Sequence, residues 1–179
     1  MMKLEIGGPF IVEASAERVW QILAHEYEHI GRWASAISHS VAVEAAEGAP
    51  DGAPICGRVC GNSVAGFGDI TETFTYYDEA TMRFGYAATE GLPRFVKSAT
   101  NNWSVRRLDD NHSEVTALGE IELPWFPGVL LAPLLKWQMG RLGQQTTEEF
   151  KYYVENGRPH PRKVKLLAKG EKVKETAVR

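Results

Sequence analysis

The chain has 179 residues, 44 % of them apolar and 24 % charged, with a formal net charge of −3. These are the values of one globular domain, and they exclude a disordered, collagenous or coiled-coil chain. No run of about 18 apolar residues is present to cross a membrane. The first residues lack the apolar core of a secretory signal, so the expected location is the cytoplasm. The charge is divided. Beyond Gly157 the chain carries eight Lys and Arg (Arg158, Arg162, Lys163, Lys165, Lys169, Lys172, Lys174, Arg179) against Glu171 and Glu175, whereas residues 1–157 are acidic. Residues 1–157 read as the domain and 158–179 as a flexible, separable basic tail. The tail lacks the interleaved aromatics that stack on bases, so no nucleic acid is expected. A weak contact with an anionic membrane surface is the one membrane interaction it allows.

Residues Lys3 to Ala14 alternate as a strand around Gly7-Gly8-Pro9. Ser15 has the chemistry of an N-cap for a helix from Ala16 to about Ala24, and a second short helix is expected from Glu26 to about Trp33. Ala36–Glu44 returns to strand, and the Gly- and Pro-rich stretch from Gly48 to Pro54 is a loop. Five strand-like runs follow: Ile55–Asn62, Asp69–Tyr77, Thr81–Ala88, Phe95–Leu108 and Ser113–Leu123. Their linkers carry turn residues, so neighbours pair as antiparallel hairpins. A long amphipathic helix from about Leu130 to Glu155 presents Leu131, Leu134, Leu135, Leu142, Glu149 and Phe150 at three/four spacing. Pro133 is expected in its first turn, and Asn156-Gly157 stops it. The order implies an α+β fold. A seven-stranded antiparallel sheet wraps around one long C-terminal helix, with two short helices after strand 1 and a cavity between sheet and helix.

Alternation puts Ile70, Glu72, Phe74 and Tyr76 on one apolar face. Closing the preceding hairpin on Ala65 sets Arg58 opposite Glu72, Cys60 opposite Ile70 and Cys56 opposite Phe74. Closing the next on Glu79 sets Tyr86 beside Glu72 and Phe84 beside Phe74. Closing the last on Asp110 pairs Val105 with Val115, Trp103 with Ala117 and Asn101 with Gly119. The apolar match forces these registers, since a slip of one residue inverts every side chain. A carboxylate, a guanidinium and a phenol then meet on an apolar wall, with Asn101 nearby, where small partners leave room. Cys56 and Cys60, four residues apart on one strand, stand ~13 Å apart at ~3.3 Å per residue, too far for a disulfide; they read as free buried thiols.

Other motifs carry less. His25-Glu26-Tyr27-Glu28-His29 matches H-E-x-x-H, which binds zinc when both histidines share a helix face. Zinc also needs a third ligand, and none is evident. The glycines of residues 57–68 form neither a P-loop nor a dinucleotide fingerprint, and no G-x-S-x-G occurs. No metal and no cofactor are therefore expected.

Ala14-Ser15-Ala16-Glu17-Arg18-Val19-Trp20 followed by Arg32-Trp33 resembles the opening of the START-like (SRPBCC) superfamily. Gly57-Arg58, Glu72 through Tyr77-Asp78, and Asn101-Asn102-Trp103-Ser104-Val105 agree with it, over about residues 3–157. The group most resembled is the polyketide cyclase/dehydrase and lipid-transport proteins. The resemblance implies a helix-grip fold with a hydrophobic cavity, and members that bind lipids, hormones or polyketides or cyclise polyketides. The expected function is binding of a small hydrophobic molecule such as a lipid, polyketide or isoprenoid. The expected contacts are Trp33, Arg58, Glu72, Phe74, Phe84, Tyr86, Asn101, Trp103, Leu131, Leu135 and Leu142. The alternative is a cyclase or dehydratase in which Arg58, Glu72 and Tyr86 polarise a carbonyl and move protons.

Overall fold

A computed structural model describes residues 1–43, 49–62 and 68–168, without the side chains of Asn62, Pro127, Val129 and Leu131. Strand β1 (Met2–Val12) leads into helix α1 (Ala16–Trp20), a π-helical turn (Gln21–His25) and a 3-10 helix (Tyr27–Arg32). Strands β2 (Ile37–Val43), β3 (Gly57–Asn62), β4 (Ile70–Asp78), β5 (Arg83–Glu90), β6 (Ser98–Arg107) and β7 (Ser113–Leu123) follow, then helix α2 (Trp125–Asn156). A last helix, α3, covers residues 161–168. The seven strands form one antiparallel sheet in the order β1-β7-β6-β5-β4-β3-β2, and α2 packs against it at β1. This is the helix-grip architecture expected from the pattern.

Local chemistry explains the ends. The Ser15 hydroxyl accepts a hydrogen bond from the Arg18 amide at 3.3 Å, satisfying one of the free donors of the first turn. Gly157 takes a left-handed φ of 67° and its amide closes on the Tyr153 carbonyl, the conformation glycine adopts without strain. At β1 the chain crosses β7 closely. A Cβ on Gly7 (φ 109°) would meet the Ala117 carbonyl oxygen, so only glycine fits there. The core gathers Val12, Val19, Trp20, Val115, Phe150 and Val154, all almost fully buried. It lies under the C-terminal half of α2, whereas the N-terminal half stands over open space.

Several details differ from the sequence reading. The first helix is α-helical for one turn only and then widens into the π turn. Register shifts interrupt the β4–β5 ladder on either side of Glu72–Phe74. The bulge between Phe74 and Tyr76 reverses the alternation, so Tyr77 is buried and Tyr76 is exposed. In the same ladder Glu72 faces Ala88 and Phe74 faces Tyr86, two residues from the expected partners; the even displacement keeps these side chains on their expected face, whereas beyond the bulge Tyr77 faces Phe84, an odd displacement that turns Tyr76 outward. Pro133 sits inside α2 rather than in its first turn. The helix proper starts after Phe126, whose φ/ψ of −123°/130° is extended, so Pro127 occupies the first helical position. The turn expected at Ala65, and Glu44 at the end of β2, lie outside the described residues.

The start of the basic segment forms α3 and touches the domain. Lys163 is only 2 % exposed, and its ammonium donates to the carbonyls of Ala34 (3.0 Å) and Ile37 (2.7 Å). Arg162 pairs with Glu149 (2.9 Å) and Glu148 (3.1 Å). Residues 169–179 lie outside the described residues.

Candidate functional site

Between the sheet and α2 lies a cavity of about 390 Å³, within the size range of small-molecule sites. Its walls come from β1, the segment from the π turn to Ile37, strands β3 to β7, the loop of Leu92 to Val96, and α2. They are mostly aliphatic and aromatic. Among the described lining residues, Glu26, Arg58 and Glu72 carry charge.

Arg58 and Glu72 face each other across β3 and β4 in the expected register. Arg58 Nε donates to Glu72 Oε2 at 2.7 Å, and Nη1 donates to the Tyr27 carbonyl at 2.7 Å. The guanidinium carbon lies over the Tyr27 ring, 3.7 Å from its centroid, and 5.6 Å from that of Tyr86. The Tyr27 hydroxyl donates to the same Glu72 oxygen at 3.2 Å. Arg58 is 4 % exposed. Burial opposes its charge, but the Glu72 carboxylate and the surrounding rings outweigh that and hold it protonated above its ordinary range. Burial likewise pushes the phenols of Tyr27 and Tyr86 up, so both stay neutral.

Tyr27 is the residue that sequence reasoning missed. It lies in the polar run His25–His29, and nothing in that run's composition marks a residue 2 % exposed. The signal was local: an aromatic residue at the step from the π turn to the 3-10 helix, where the chain turns inward. The expected phenol, Tyr86, is on the wall, but Tyr27 is the one that reaches Glu72.

The other expected residues separate cleanly. Trp33, Phe84, Tyr86, Asn101, Trp103, Leu135 and Leu142 line the cavity along with Arg58 and Glu72. Phe74 does not. It belongs to the core cluster, with its ring 4.4 Å from that of Tyr27, which does line the cavity. The side chain of Leu131 lies outside the described residues. Asn101 pairs with Gly119 and Tyr86 as neighbours on the sheet, and its Oδ1 is enclosed without a hydrogen-bond partner. Both cysteines are free thiols.

The H-E-x-x-H run has other partners. His25 contacts Glu79 at 3.0 Å, and Glu79 also accepts from Trp20 Nε1 (2.9 Å) and the Tyr77 hydroxyl (2.6 Å). His29 stands 3.4 Å from Glu28. The backbone changes from π to 3-10 at Glu26 (φ −102°, ψ 30°), so the two histidines do not share one α-helical face. Among the described residues no cluster of His, Cys, Asp and Glu could hold a metal, and no helix is long and apolar enough to cross a membrane.

The fold and the wall of aromatic and paired polar groups define a class: helix-grip proteins built around an internal cavity. The chain belongs to the polyketide cyclase/dehydrase and lipid transport family, whose model matches residues 8–155. No curated protein matches it significantly in sequence. Among solved structures it is similar to a START superfamily protein from Mycobacterium smegmatis (TM-score 0.67, 15 % identity, 86 % of this chain and 97 % of that one). It is also similar to the Zhui aromatase/cyclase from Streptomyces sp. R1128 (0.63, 12 %, 89 % and 100 %). A third is norcoclaurine synthase from Thalictrum flavum in complex with dopamine and hydroxybenzaldehyde (0.61, 16 %, 86 % and 87 %).

Proposed function

We propose that the protein binds a small, mainly apolar molecule in the cavity between the sheet and α2. The observation that carries this reading is an apolar cavity of about 390 Å³ with one buried, mutually hydrogen-bonded polar cluster, Arg58–Glu72–Tyr27, on its wall. Apolar lining supplies affinity through area removed from water. The polar cluster fixes orientation, because a ligand oxygen near it finds Arg58 donors beyond those given to Glu72 and Tyr27. Trp33, Arg58, Glu72, Phe84, Tyr86, Asn101, Trp103, Leu135 and Leu142 are the proposed contacts.

A second reading is a cyclase or dehydratase using the same cavity, favoured by a permanent cation and a carboxylate side by side on its wall. Arg58 would polarise a ligand carbonyl and Glu72 would carry the proton. Tyr86 and Tyr27 suit this reading poorly. A general acid works best with a pKa near the working pH, and burial moves both phenols the other way. Binding is therefore the better-supported function.

The test is a titration with N-phenyl-1-naphthylamine, a neutral apolar dye that brightens on leaving water. A dissociation constant in the micromolar range is expected, about −8 kcal/mol. Ala117, on the wall opposite Trp103, is the place to fill the space. Ala117→Phe should fold and bind the dye poorly. A wild-type protein that leaves the dye dark, or an Ala117→Phe protein that binds it undiminished, overturns the reading.

A further inference from the structure

The charges and unmet hydrogen bonds of the cavity select among apolar ligands. We infer that the ligand is a neutral molecule bringing two hydrogen-bond donors, one for Glu72 and one for Asn101, and that Asn101 is a specificity-determining residue. This rests on the reading of the cavity as a binding site.

The first observation is charge. The one cation among the described lining residues, Arg58, is matched by Glu72 at 2.7 Å. The third charged group, Glu26, has Arg32 at 3.8 Å outside. Among the described residues no unpaired cation is therefore on the wall for a carboxylate or phosphate head. An anionic lipid would bury its charge where each described cation already has a carboxylate partner, and an uncompensated buried charge is costly in a low-dielectric space.

The second observation is a pair of acceptors in want of donors. Glu72 Oε2 receives both Arg58 Nε and the Tyr27 hydroxyl. Among the described residues Oε1 accepts nothing, and the side chain keeps 17 % of its surface open. Asn101 Oδ1 is enclosed and accepts nothing either. An unmet buried acceptor is costly, so a ligand donor that satisfies it gains more than an ordinary polar contact. Asn101 lines the cavity, and rotation about its soft terminal torsion is the movement that would offer Oδ1 to a ligand. The neighbour there, Gly119, has no side chain; a Cβ built on it would stand 3.7 Å from Asn101 Nδ2.

The third observation is spacing. Glu72 is on β4 and Asn101 on β6, with Tyr86 of β5 directly opposite Asn101. Two strand spacings and a two-residue offset separate the Cα atoms of Glu72 and Asn101 by roughly 10–12 Å, which sets the scale of the distance between their acceptors. The fitting ligand is flat enough to lie on the aromatic wall and has hydroxyl or amide donors at both ends. Carboxylate lipids do not meet that description.

The experiment displaces N-phenyl-1-naphthylamine from the full chain with three competitors. Resveratrol is a stilbene with hydroxyls on both rings, trans-stilbene has none, and palmitate is an anion. Resveratrol should compete about tenfold better than stilbene, the worth of one or two net hydrogen bonds, and better than palmitate by at least as much. In Asn101→Leu the preference for resveratrol over stilbene should shrink to about threefold, with stilbene little changed. Stilbene or palmitate competing as well as resveratrol in the wild type overturns the inference, and this arm stands whether or not the variant folds. An unchanged preference in a folded Asn101→Leu protein also overturns it. If the dye binds but resveratrol does not displace it, the inference fails while the cavity reading stands. If the dye itself does not bind, both fall.

Discussion

Arg58 shows how one residue can be costly to the protein and still belong to it. A guanidinium with 4 % exposure has lost almost all its water, and only its partners make that tolerable. Buried pairs often add little net stability, but breaking one leaves an uncompensated charge. Arg58→Ala is therefore expected to cost ~3–5 kcal/mol, because Glu72 would lose its cation and keep its burial. The double variant Arg58→Met with Glu72→Gln should cost less than Arg58→Ala alone, although it changes more atoms. Thermal melts of the three proteins decide the matter, and an Arg58→Ala protein as stable as wild type would show that the pair contributes nothing. The buried phenols add a pH signature. Tyr27, Tyr77 and Tyr86 ionise above the ordinary value of 10.0, chiefly because burial penalises the phenolate. The unfolded chain then releases those protons first as pH rises. Their contribution is complete below about pH 10 and is lost as pH climbs toward the folded values. Lys163, which burial lowers, acts in the opposite direction, but it is one group against three. The melting temperature should fall steeply between about pH 9.5 and 11.5, and Tyr27→Phe should make that fall shallower.

At the scale of elements, α3 joins parts that the sequence keeps far apart. Glu149 of α2 is 0 % exposed and accepts from the Ser35 amide (2.7 Å), the Ser35 hydroxyl (2.6 Å) and Arg162 (2.9 Å). Lys163 binds the carbonyls on either side of Ser35, at Ala34 and Ile37. The segment so held carries Trp33, Ala34, Ala36 and Ile37, all on the cavity wall. We propose that residues 158–168 belong to the fold as a clasp on that wall. Truncation after Gly157 should cost ~2–3 kcal/mol, since charged hydrogen bonds are lost and a buried carboxylate loses its cation. At this chain length that is roughly 5–10 °C in Tm. Lys163→Met should reproduce part of the loss in the full chain. A truncated protein that melts with the wild type would return the segment to the status of a separable tail. This clasp was not legible because basic composition is the same for a solvated run and for a helix whose two cations find buried acceptors; only the acceptors' positions tell them apart. The strands were far more legible. Ser113–Leu123 has the expected bounds, and the β6–β7 register holds throughout, because a tight turn at Asp109-Asp110-Asn111 allows one closure. Arg58 and Glu72 were legible because only an even register matches the apolar faces of their two strands, and the structure has that register. In the next hairpin the bulge at Thr75 was hidden, because Tyr76 and Tyr77 are both aromatic and either could face the core. Tyr27 was hidden by its polar neighbours.

Across the whole molecule, α2 has two unequal halves. Its C-terminal half carries Glu149, Phe150 and Val154, all buried. Its N-terminal half exposes Leu130, Leu134 and Trp137, which follow one another at helical spacing on one face, with the Arg141 guanidinium 5.1 Å from the Trp137 ring. The opposite face of that half presents Leu135, Met139 and Leu142 to the cavity. Residues about 130–142 thus have solvent on one side and the cavity on the other, while Pro133 removes one backbone donor inside the helix. Local stability follows buried contacts, so this half should open far more readily than the half anchored at Phe150. Amide hydrogen exchange should show protection falling from residues 148–155 toward 130–142 in the free protein. A molecule in the cavity supplies the contacts that the inner face lacks, and binding only to the closed form stabilises that form by mass action. N-phenyl-1-naphthylamine at a hundredfold excess over its dissociation constant should slow exchange at 130–142 by up to about a hundredfold. The exposed face is unchanged by the dye, so the slowing would report contacts made from inside. Equal protection along α2 without the dye, or exchange at 130–142 indifferent to bound dye, would mean that this half of the helix is held by something other than what fills the cavity.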